Sequence, residues 1–153
     1  MKDRNLDHSD NWETPPYFYD ELNKKYSFDF DPCPINHDIT KWNGLIIDWG
    51  KRNFINPPYN QKLKEKFVKK AIEESKKGKL CVLLLPVLTS TKLFHEIILP
   101  EKPEIAFIFK RIKFIGINTK GEKVNYNLKK GYKGTDYIVN SGMHDSMILV
   151  LKN

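Results

Sequence analysis

Apolar and polar positions alternate along this chain with two periods, one typical of helices and one typical of strands. Over residues 63–77, apolar side chains recur every three or four positions among lysines and glutamates, which predicts an amphipathic helix ended by Gly78. Residues 80–86 are apolar almost throughout, which predicts a strand buried on both faces. Apolar runs at 105–109 and 146–151 predict two further strands, and residues 89–98 predict a helix. The apolar face of the 63–77 helix comprises Leu63, Phe67, Ala71 and Ile72.

The N-terminal third carries its own helix and strand signals. Thr14 followed by two prolines predicts a helix over 15–25, since threonine can cap a helix and proline fits its first turn. Alternating apolar and acidic residues at 28–31 predict a short strand that Pro32 and Pro34 end. Residues 53–56 predict another strand, stopped by two prolines. Residues 35–51 are expected to be mostly irregular, with a short strand at 45–47.

Strands separated by helices predict an α/β sandwich with a largely parallel sheet. The length of 153 residues suits one domain around one hydrophobic core. Residues 1–11 are expected to form a loose polar arm. Residues 116–142 are rich in glycine and lysine and contain three tyrosines, which predicts a hairpin or an ordered loop excursion before the last strand.

Composition and charge favour a globular, basic protein. Hydrophobic residues make up 40% of the chain, and 26 Lys and Arg against 19 Asp and Glu give a net charge of +7 and a pI near 9.3. Such a surface attracts polyanions such as nucleic acids, although solubility alone would also explain it. The sequence lacks the ~20-residue apolar run of a membrane helix, a signal peptide, and any metal-ligand spacing around Cys33 and Cys81. We therefore expect a cytoplasmic protein without a membrane or metal partner.

The segment Asn56-Pro57-Pro58-Tyr59, called the NPPY segment below, lies between a predicted strand and a predicted helix. Open α/β sheets bind ligands at such strand ends. The Asn56 side chain and the Pro57 carbonyl offer two acceptors for an exocyclic N–H₂ group, and the two prolines stiffen the backbone that holds them. Tyr59 offers a flat face on which an extruded base can stack. The plain alternative is a Pro-Pro turn after an edge strand, with Tyr59 packed on the surface.

With these residues in place, the chain resembles the phage-type DNA N-6-adenine methyltransferases over about residues 12–114. The order and spacing of several short pieces carry the resemblance, because only the NPPY segment is specific alone. The resemblance implies a Rossmann-like methyltransferase fold, shortened relative to a full seven-stranded sheet. It also implies S-adenosylmethionine as methyl donor and adenine in double-stranded DNA as acceptor. The matching pieces besides the NPPY segment are Trp12-Glu13-Thr14-Pro15, Phe30-Asp31-Pro32-Cys33, Gly44-Leu45, Asp48-Trp49, Leu84-Leu85-Pro86 and Arg111-Ile112-Lys113-Phe114.

The donor-binding half departs from the usual methyltransferase pattern. Methyltransferases usually bind the donor at a glycine-rich turn after the first strand, whereas this chain has Asp31-Pro32-Cys33-Pro34 there. The Asp31 carboxylate could lie near the donor's methionine amino group, with the Pro32 backbone beside the donor, or it could simply cap the turn. The resemblance suggests that Thr14 and Pro15 line the methionine end of the donor.

The acid that holds the donor's ribose has no obvious position. Only 21 residues separate Asp31 from the next predicted strand, where a full methyltransferase sheet places two more strands. Asp48 is favoured over Asp38 as the candidate, and both could be solvated loop acids. Trp12 and Trp49 are candidates to stack on the donor's adenine ring, with ordinary packing as the alternative.

The basic residues Lys110, Arg111 and Lys113 follow a predicted strand and are candidates for phosphate contacts, or for a solvated basic edge. The loop at 120–137 is expected to contact a DNA groove. His95 and His144 lack the spacing of a metal site or catalytic dyad and are interpreted as structural.

Three functions stay open at this point. The leading hypothesis is site-specific methyl transfer to N6 of a flipped adenine in double-stranded DNA, in a host cytoplasm if the gene belongs to a phage or prophage. The second keeps methyl transfer but changes the acceptor to an RNA adenine or a protein glutamine amide, which also present a planar N–H₂. The third is a DNA-binding module that has lost donor binding. The oligomeric state also stays open, with a homodimer as one candidate, since so small a chain has little surface to grip a duplex alone.

Overall fold

The structure, a computed structural model, describes residues 12–34, 40–117, 123–124, 140–141 and 144–153. Within these ranges the chain forms a mixed α/β fold with two sheets. The helical elements are α1 (Pro16–Tyr26), α2 (Gln61–Lys76), a π-helix (Leu93–Ile98) and a 3₁₀ turn (Leu99–Glu101). The strands are β1 (Trp12–Glu13), β2 (Arg52–Ile55), β3 (Leu80–Pro86), β4 (Glu104–Phe107), β5 (Lys113–Ile117), β6 (Lys123–Val124), β7 (Asn140–Ser141) and β8 (Ser146–Leu151).

The larger sheet has the strand order β2-β3-β8-β4. Strands β2 and β3 are parallel, whereas β8 runs antiparallel to both of its neighbours, β3 and β4. Three strands therefore share one direction and β8 opposes them, so the sheet is mixed and not largely parallel as predicted. The direction of β8 could not be predicted, because all six of its residues are buried and a central antiparallel strand then has the same apolar pattern as a parallel one.

The smaller sheet is antiparallel and joins distant parts of the chain. Strand β5 pairs with β1, β6 and β7, and the register places Trp12 opposite Gly116. Of the predicted 116–142 excursion, only the end of β5 and the short strands β6 and β7 belong to the described residues. The predicted polar arm at 1–11, most of the 120–137 loop and Asp38 lie outside them.

The larger sheet is covered on both faces, as an α/β sandwich requires. On one face, Leu83 of β3 belongs to a core cluster with Phe67 and Ala71 of α2. On the other face, Val82 belongs to a second cluster with Phe114 of β5, against which α1 packs. Because successive residues of a strand point to opposite faces, β3 is buried on both, as predicted for residues 80–86.

Local signals account well for α2. The side chain of Asn60 caps its first turn by accepting a hydrogen bond from the Leu63 N–H at 3.1 Å, and Gly78 follows its end with φ 89°, which a glycine adopts without strain. Phe67, Ala71 and Ile72 are buried as predicted, whereas Leu63 is 36% exposed.

Other local predictions were wrong or only approximate. Residues 45–47 form turns instead of a strand, and residue Phe30 makes a single parallel bridge with Asn53 where a strand over 28–31 was predicted. The helix predicted over 89–98 is confined to its second half. None of the helices in the described part of the chain has the length and apolarity to span a membrane.

A buried acid lies at the end of α2, where β3 begins. Glu74 is fully buried and forms ion pairs with three lysines. Burial alone would raise the pKa of its carboxyl, but hydrogen bonds from these lysines outweigh it and lower the pKa to about 2. Glu74 therefore stays ionised at neutral pH and links the end of α2 to the start of β3. The three partners are Lys70, Lys77 and Lys79.

Candidate active site

The NPPY segment leaves the carboxyl end of β2 and leads into α2. It forms one wall of a small cleft that is open to solvent. The other walls are formed by Lys64 of α2, the last residues of β3, Phe114 of β5 and Ser146 of β8. The cleft therefore lies at the strand-end edge of the sheet, where the sequence predicted a site.

The side-chain amide of Asn56 is fixed by two hydrogen bonds from its nitrogen. Nδ2 donates to the main-chain carbonyl of Trp12 at 2.7 Å and to the hydroxyl of Thr14 at 3.1 Å. An amide nitrogen has two N–H donors, so both are engaged. The amide is thereby oriented, and its oxygen Oδ1 is available as a hydrogen-bond acceptor on a residue of the cleft wall.

The ring of Tyr59 is held between two other aromatic rings. Its centroid lies 6.1 Å from that of Trp12 and 6.2 Å from that of Phe114, with both pairs edge to face. Burial raises the pKa of the Tyr59 hydroxyl above its ordinary value of 10.0. The cleft therefore contains a neutral phenol ring with little freedom to turn.

The 31–34 turn is joined directly to the NPPY segment. The Asp31 carboxylate accepts a hydrogen bond from the Cys33 N–H at 2.9 Å, and the Cys33 thiol donates to the main-chain carbonyl of Asn56 at 3.3 Å. Burial, together with the nearby Asp31 carboxylate, raises the pKa of the Cys33 thiol well above its ordinary value, so the thiol stays protonated as a donor. Asp31 thus caps the turn, as one of the two sequence interpretations expected, and this turn is joined to the NPPY segment through Cys33.

Gly44 lets its own backbone pack closely against that of Pro32, a contact that the sequence did not predict. A Cβ atom at this position would lie 1.8 Å from the carbonyl oxygen of Pro32, so only glycine allows the two backbones to pack together. The turn at 31–34 has no glycine of its own, but the backbone of Pro32 is packed against Gly44, twelve residues further on. Pro32 itself is buried.

Thr14 has a different role from the predicted helix cap. The N-cap residue of α1 is the buried Pro15, and no side chain caps that end of the helix. The Thr14 hydroxyl instead accepts the hydrogen bond from Asn56. The Trp12 side chain likewise contacts Tyr59. Two residues that the sequence assigned to the donor therefore contact the NPPY segment.

Two other donor candidates are not brought to this edge. Asp48 is 83% exposed and pairs with Lys77 at 3.1 Å, near the start of β3 and so at the opposite edge of the sheet from Asn56. Trp49 is only 5% exposed, and its indole donates to the Gly44 carbonyl at 2.7 Å. Trp49 is therefore packed in the core, which is the alternative that the sequence left open beside stacking on a donor ring.

The predicted phosphate-contact residues Lys110, Arg111 and Lys113 are all exposed. They follow β4, whose end lies at the same sheet edge as the cleft, since the Ile108 N–H donates to the Ser146 carbonyl at 3.0 Å. Arg111 also pairs with Asp145 at 3.1 Å.

Lys64 and Ser146 line the cleft, although the sequence pattern does not mark either as a site residue. The amphipathic pattern places Lys64 on the polar face of α2, yet the residue is partly buried, and burial lowers the pKa of its ammonium group. Its place in the first turn after the NPPY segment was the available signal. Ser146 gave no signal, because it reaches the cleft only through the insertion of β8 beside β3.

The fold and the cleft define an α/β protein with a strand-end site built on an Asn-Pro-Pro-Tyr segment. Among the described residues there is no cluster of His, Cys, Asp and Glu suited to a metal ion. A family model described as DNA N-6-adenine-methyltransferase (Dam) matches residues 3–133. The chain therefore belongs to the Dam family of DNA N-6-adenine methyltransferases, as the sequence resemblance predicted. No match was found among curated proteins or among solved structures.

Proposed function

We propose that this protein is a site-specific DNA methyltransferase that transfers a methyl group from S-adenosylmethionine to N6 of a flipped adenine in double-stranded DNA. The observation that carries the proposal is the fixed Asn56 amide at the wall of a strand-end cleft, in a chain that belongs to the Dam family. The parallel β2–α2–β3 unit, with its cleft at the carboxyl end of β2, supports a shortened Rossmann-like arrangement.

The acceptor half of the reaction needs a more nucleophilic amine. The lone pair of an exocyclic adenine nitrogen is delocalised into the ring, and hydrogen bonds from its N–H₂ to fixed acceptors favour a more tetrahedral nitrogen. Asn56 Oδ1 and the Pro57 carbonyl are the acceptors, and the bonds to Trp12 and Thr14 keep the amide oriented without reorganisation during the reaction. Tyr59 stacks on the extruded base, and the amine loses its proton after the transfer.

The residues beside the NPPY segment fit the donor in part. When bound, S-adenosylmethionine supplies a methyl group on a positively charged sulfur. The Asp31 carboxylate suits the ammonium group of its methionine end, and the Cys33 bond to Asn56 keeps that turn next to the acceptor. Thr14, Pro15 and the Pro32 backbone adjoin the same edge.

Charge supports a nucleic-acid acceptor over a protein one. The chain carries +7 net charge, and Lys64 and the exposed residues Lys110, Arg111 and Lys113 lie at or beside the cleft edge. Cations so placed would contact backbone phosphates, which give affinity and register without reading sequence.

The decisive experiment measures transfer of labelled methyl from S-adenosylmethionine to unmethylated DNA, followed by mapping of the modified adenines. Wild-type protein is expected to methylate N6, and Asn56→Ala to lose at least about a hundredfold in rate, because it removes a preorganised transition-state contact. The matched control is Asn60→Ala, an asparagine four positions later whose side chain caps α2. It is expected to lose about 1 kcal/mol of stability and to keep its activity.

Two comparisons separate this function from its alternatives. Uptake of label by DNA, RNA and total protein in parallel identifies the acceptor, and a preference for RNA or protein would overturn the DNA assignment. Calorimetry with S-adenosylmethionine tests the donor half, since a DNA-binding module without a donor site would show no heat of binding while retaining affinity for duplex.

A further inference from the structure

An aromatic side chain stands out from the surface beside the cleft. Phe109 is 88% exposed, more than any other large hydrophobic residue of the described chain. It is followed by Lys110, whose φ of 63° lies in the left-handed region that favours glycine, so the chain turns sharply at this point. We call residues 109–111 the Phe109 tip.

The tip is anchored at both ends to the walls of the cleft. Just before it, the Ile108 N–H donates to the carbonyl of Ser146 at 3.0 Å, and Ser146 lines the cleft. Just after it, Ile112 is 3% exposed and leads into Phe114. Phe114 also lines the cleft, where its ring contacts that of Tyr59. Phe109 therefore projects from a short, well-anchored turn next to the place where an extruded base would be held.

The surroundings of the ring suit a polyanion. The Lys110 ammonium lies 5.6 Å from the centroid of the Phe109 ring, and Arg111 follows it. A second copy of this basic chain would bring like charges together at the tip, which disfavours the tip as a contact between copies. A DNA duplex offers phosphates for the cations and a stack of flat, apolar base faces for the ring.

We propose that Phe109 inserts into the duplex and fills the space that the flipped adenine leaves in the base stack, while Lys110 contacts the flanking phosphate. This inference rests on the proposed function and assigns the tip a positioning role in it. Apolar wedges inserted between bases offset part of the free energy lost when a base leaves the stack. Phe109 acts through the DNA and has no part in the transfer itself.

The test uses Phe109→Ala, with Phe109→Trp to restore a flat ring and Phe107→Ala as the matched control. Phe107 is also exposed, at 67%, but precedes the tip. Each variant is assayed on duplexes that carry the mapped target adenine opposite thymine or opposite an abasic position. Base extrusion is measured separately through the fluorescence of 2-aminopurine at the target, which increases on unstacking.

Phe109→Ala is expected to lose about tenfold or more in kcat/KM on the paired duplex, and much less opposite the abasic position, where the base is already poorly held. Its 2-aminopurine signal is expected to fall, and Phe109→Trp to recover both readouts. Equal losses on the two duplexes, or a Phe107→Ala loss as large as that of Phe109→Ala, would overturn the inference while the proposed function stands. Failure of wild-type protein to methylate DNA would overturn the proposed function first.

Discussion

The Asn56 side-chain amide donates a hydrogen bond to the hydroxyl of Thr14 at 3.1 Å, across 42 residues of sequence. Together with the bond to the Trp12 carbonyl, it joins the segment at residues 12–14 to the NPPY segment. The orientation of the Asn56 amide therefore depends on one residue of the other sheet and on one residue of the segment that leads into α1. Substitutions at Thr14 should test this dependence without touching the acceptor atoms.

Thr14→Val removes the hydroxyl and nearly preserves the shape of the side chain. Loss of one neutral hydrogen bond is worth about 1 kcal/mol, so kcat for methyl transfer is expected to fall roughly fivefold, with little change in the melting temperature. Thr14→Ser keeps the hydroxyl and should retain nearly full kcat. A Thr14→Val enzyme as fast as wild type would show that the bond does not position Asn56.

The ring of Tyr59, and not its hydroxyl, is expected to matter for the reaction. Tyr59→Phe should keep kcat/KM within about twofold, whereas Tyr59→Ala should lose about tenfold to a hundredfold, the usual value of one base–aromatic stack. Because burial raises the pKa of the hydroxyl above 10.0, the wild-type rate should show no loss from Tyr59 ionisation below that pH. Rate–pH profiles of wild type and Tyr59→Phe that differ below pH 10.0 would contradict this assignment.

The elements that were predicted well from the sequence are those whose local pattern is compatible with a single type of secondary structure. Strands β3 and β8 match the predicted ranges 80–86 and 146–151, because polar residues or a proline mark the ends of each apolar run. Helix α2 has a periodic apolar face, an asparagine cap and a terminal glycine, and its observed ends lie within two residues of the prediction.

The parts that sequence could not predict depend on contacts between distant residues. The direction of β8 has no signature in a fully buried strand, and Ser146 reaches the cleft only as a result of that direction. Thr14 carries a strong capping signal, but its hydroxyl is used by Asn56 instead. The NPPY segment itself was predictable because its chemistry lies within four consecutive residues.

Gly44 is expected to be essential for the position of the 31–34 turn. In Gly44→Ala the new Cβ would lie 1.8 Å from the Pro32 carbonyl oxygen, so one backbone must move, at a cost of about 1–3 kcal/mol. Calorimetry should show weaker S-adenosylmethionine binding, and urea unfolding a lower stability. The control is Gly78→Ala, where no atom lies within 4 Å of the added Cβ but φ is 89°. It should lose about 1 kcal/mol of stability through strain and keep its donor affinity.

Glu74 should make the stability of the fold depend on acid pH. Its pKa in the folded state is about 2, below the ordinary value of 4.5, so its contribution is present above pH 4.5 and is lost as the pH falls towards about 2. Glu74→Gln is expected to lower the free energy of unfolding by about 2 kcal/mol at neutral pH. In urea titrations, the difference between variant and wild type should shrink as the pH is lowered from 4.5. A difference that stays constant over that interval would show that the lysine pairs are not its cause.

Asp31 can be tested for a role beyond capping its turn, because asparagine keeps one function and removes the other. In Asp31→Asn the side-chain oxygen can still accept the hydrogen bond from the Cys33 N–H, so the turn and its link to Asn56 should persist. The negative charge, however, is lost. If the carboxylate holds the ammonium group of S-adenosylmethionine, Kd for the donor should rise about tenfold or more, since hydrogen bonds to charged groups are worth about 1.5–3 kcal/mol. The melting temperature without donor should change little. An unchanged Kd would limit Asp31 to the turn and require another residue at this edge to bind the ammonium group.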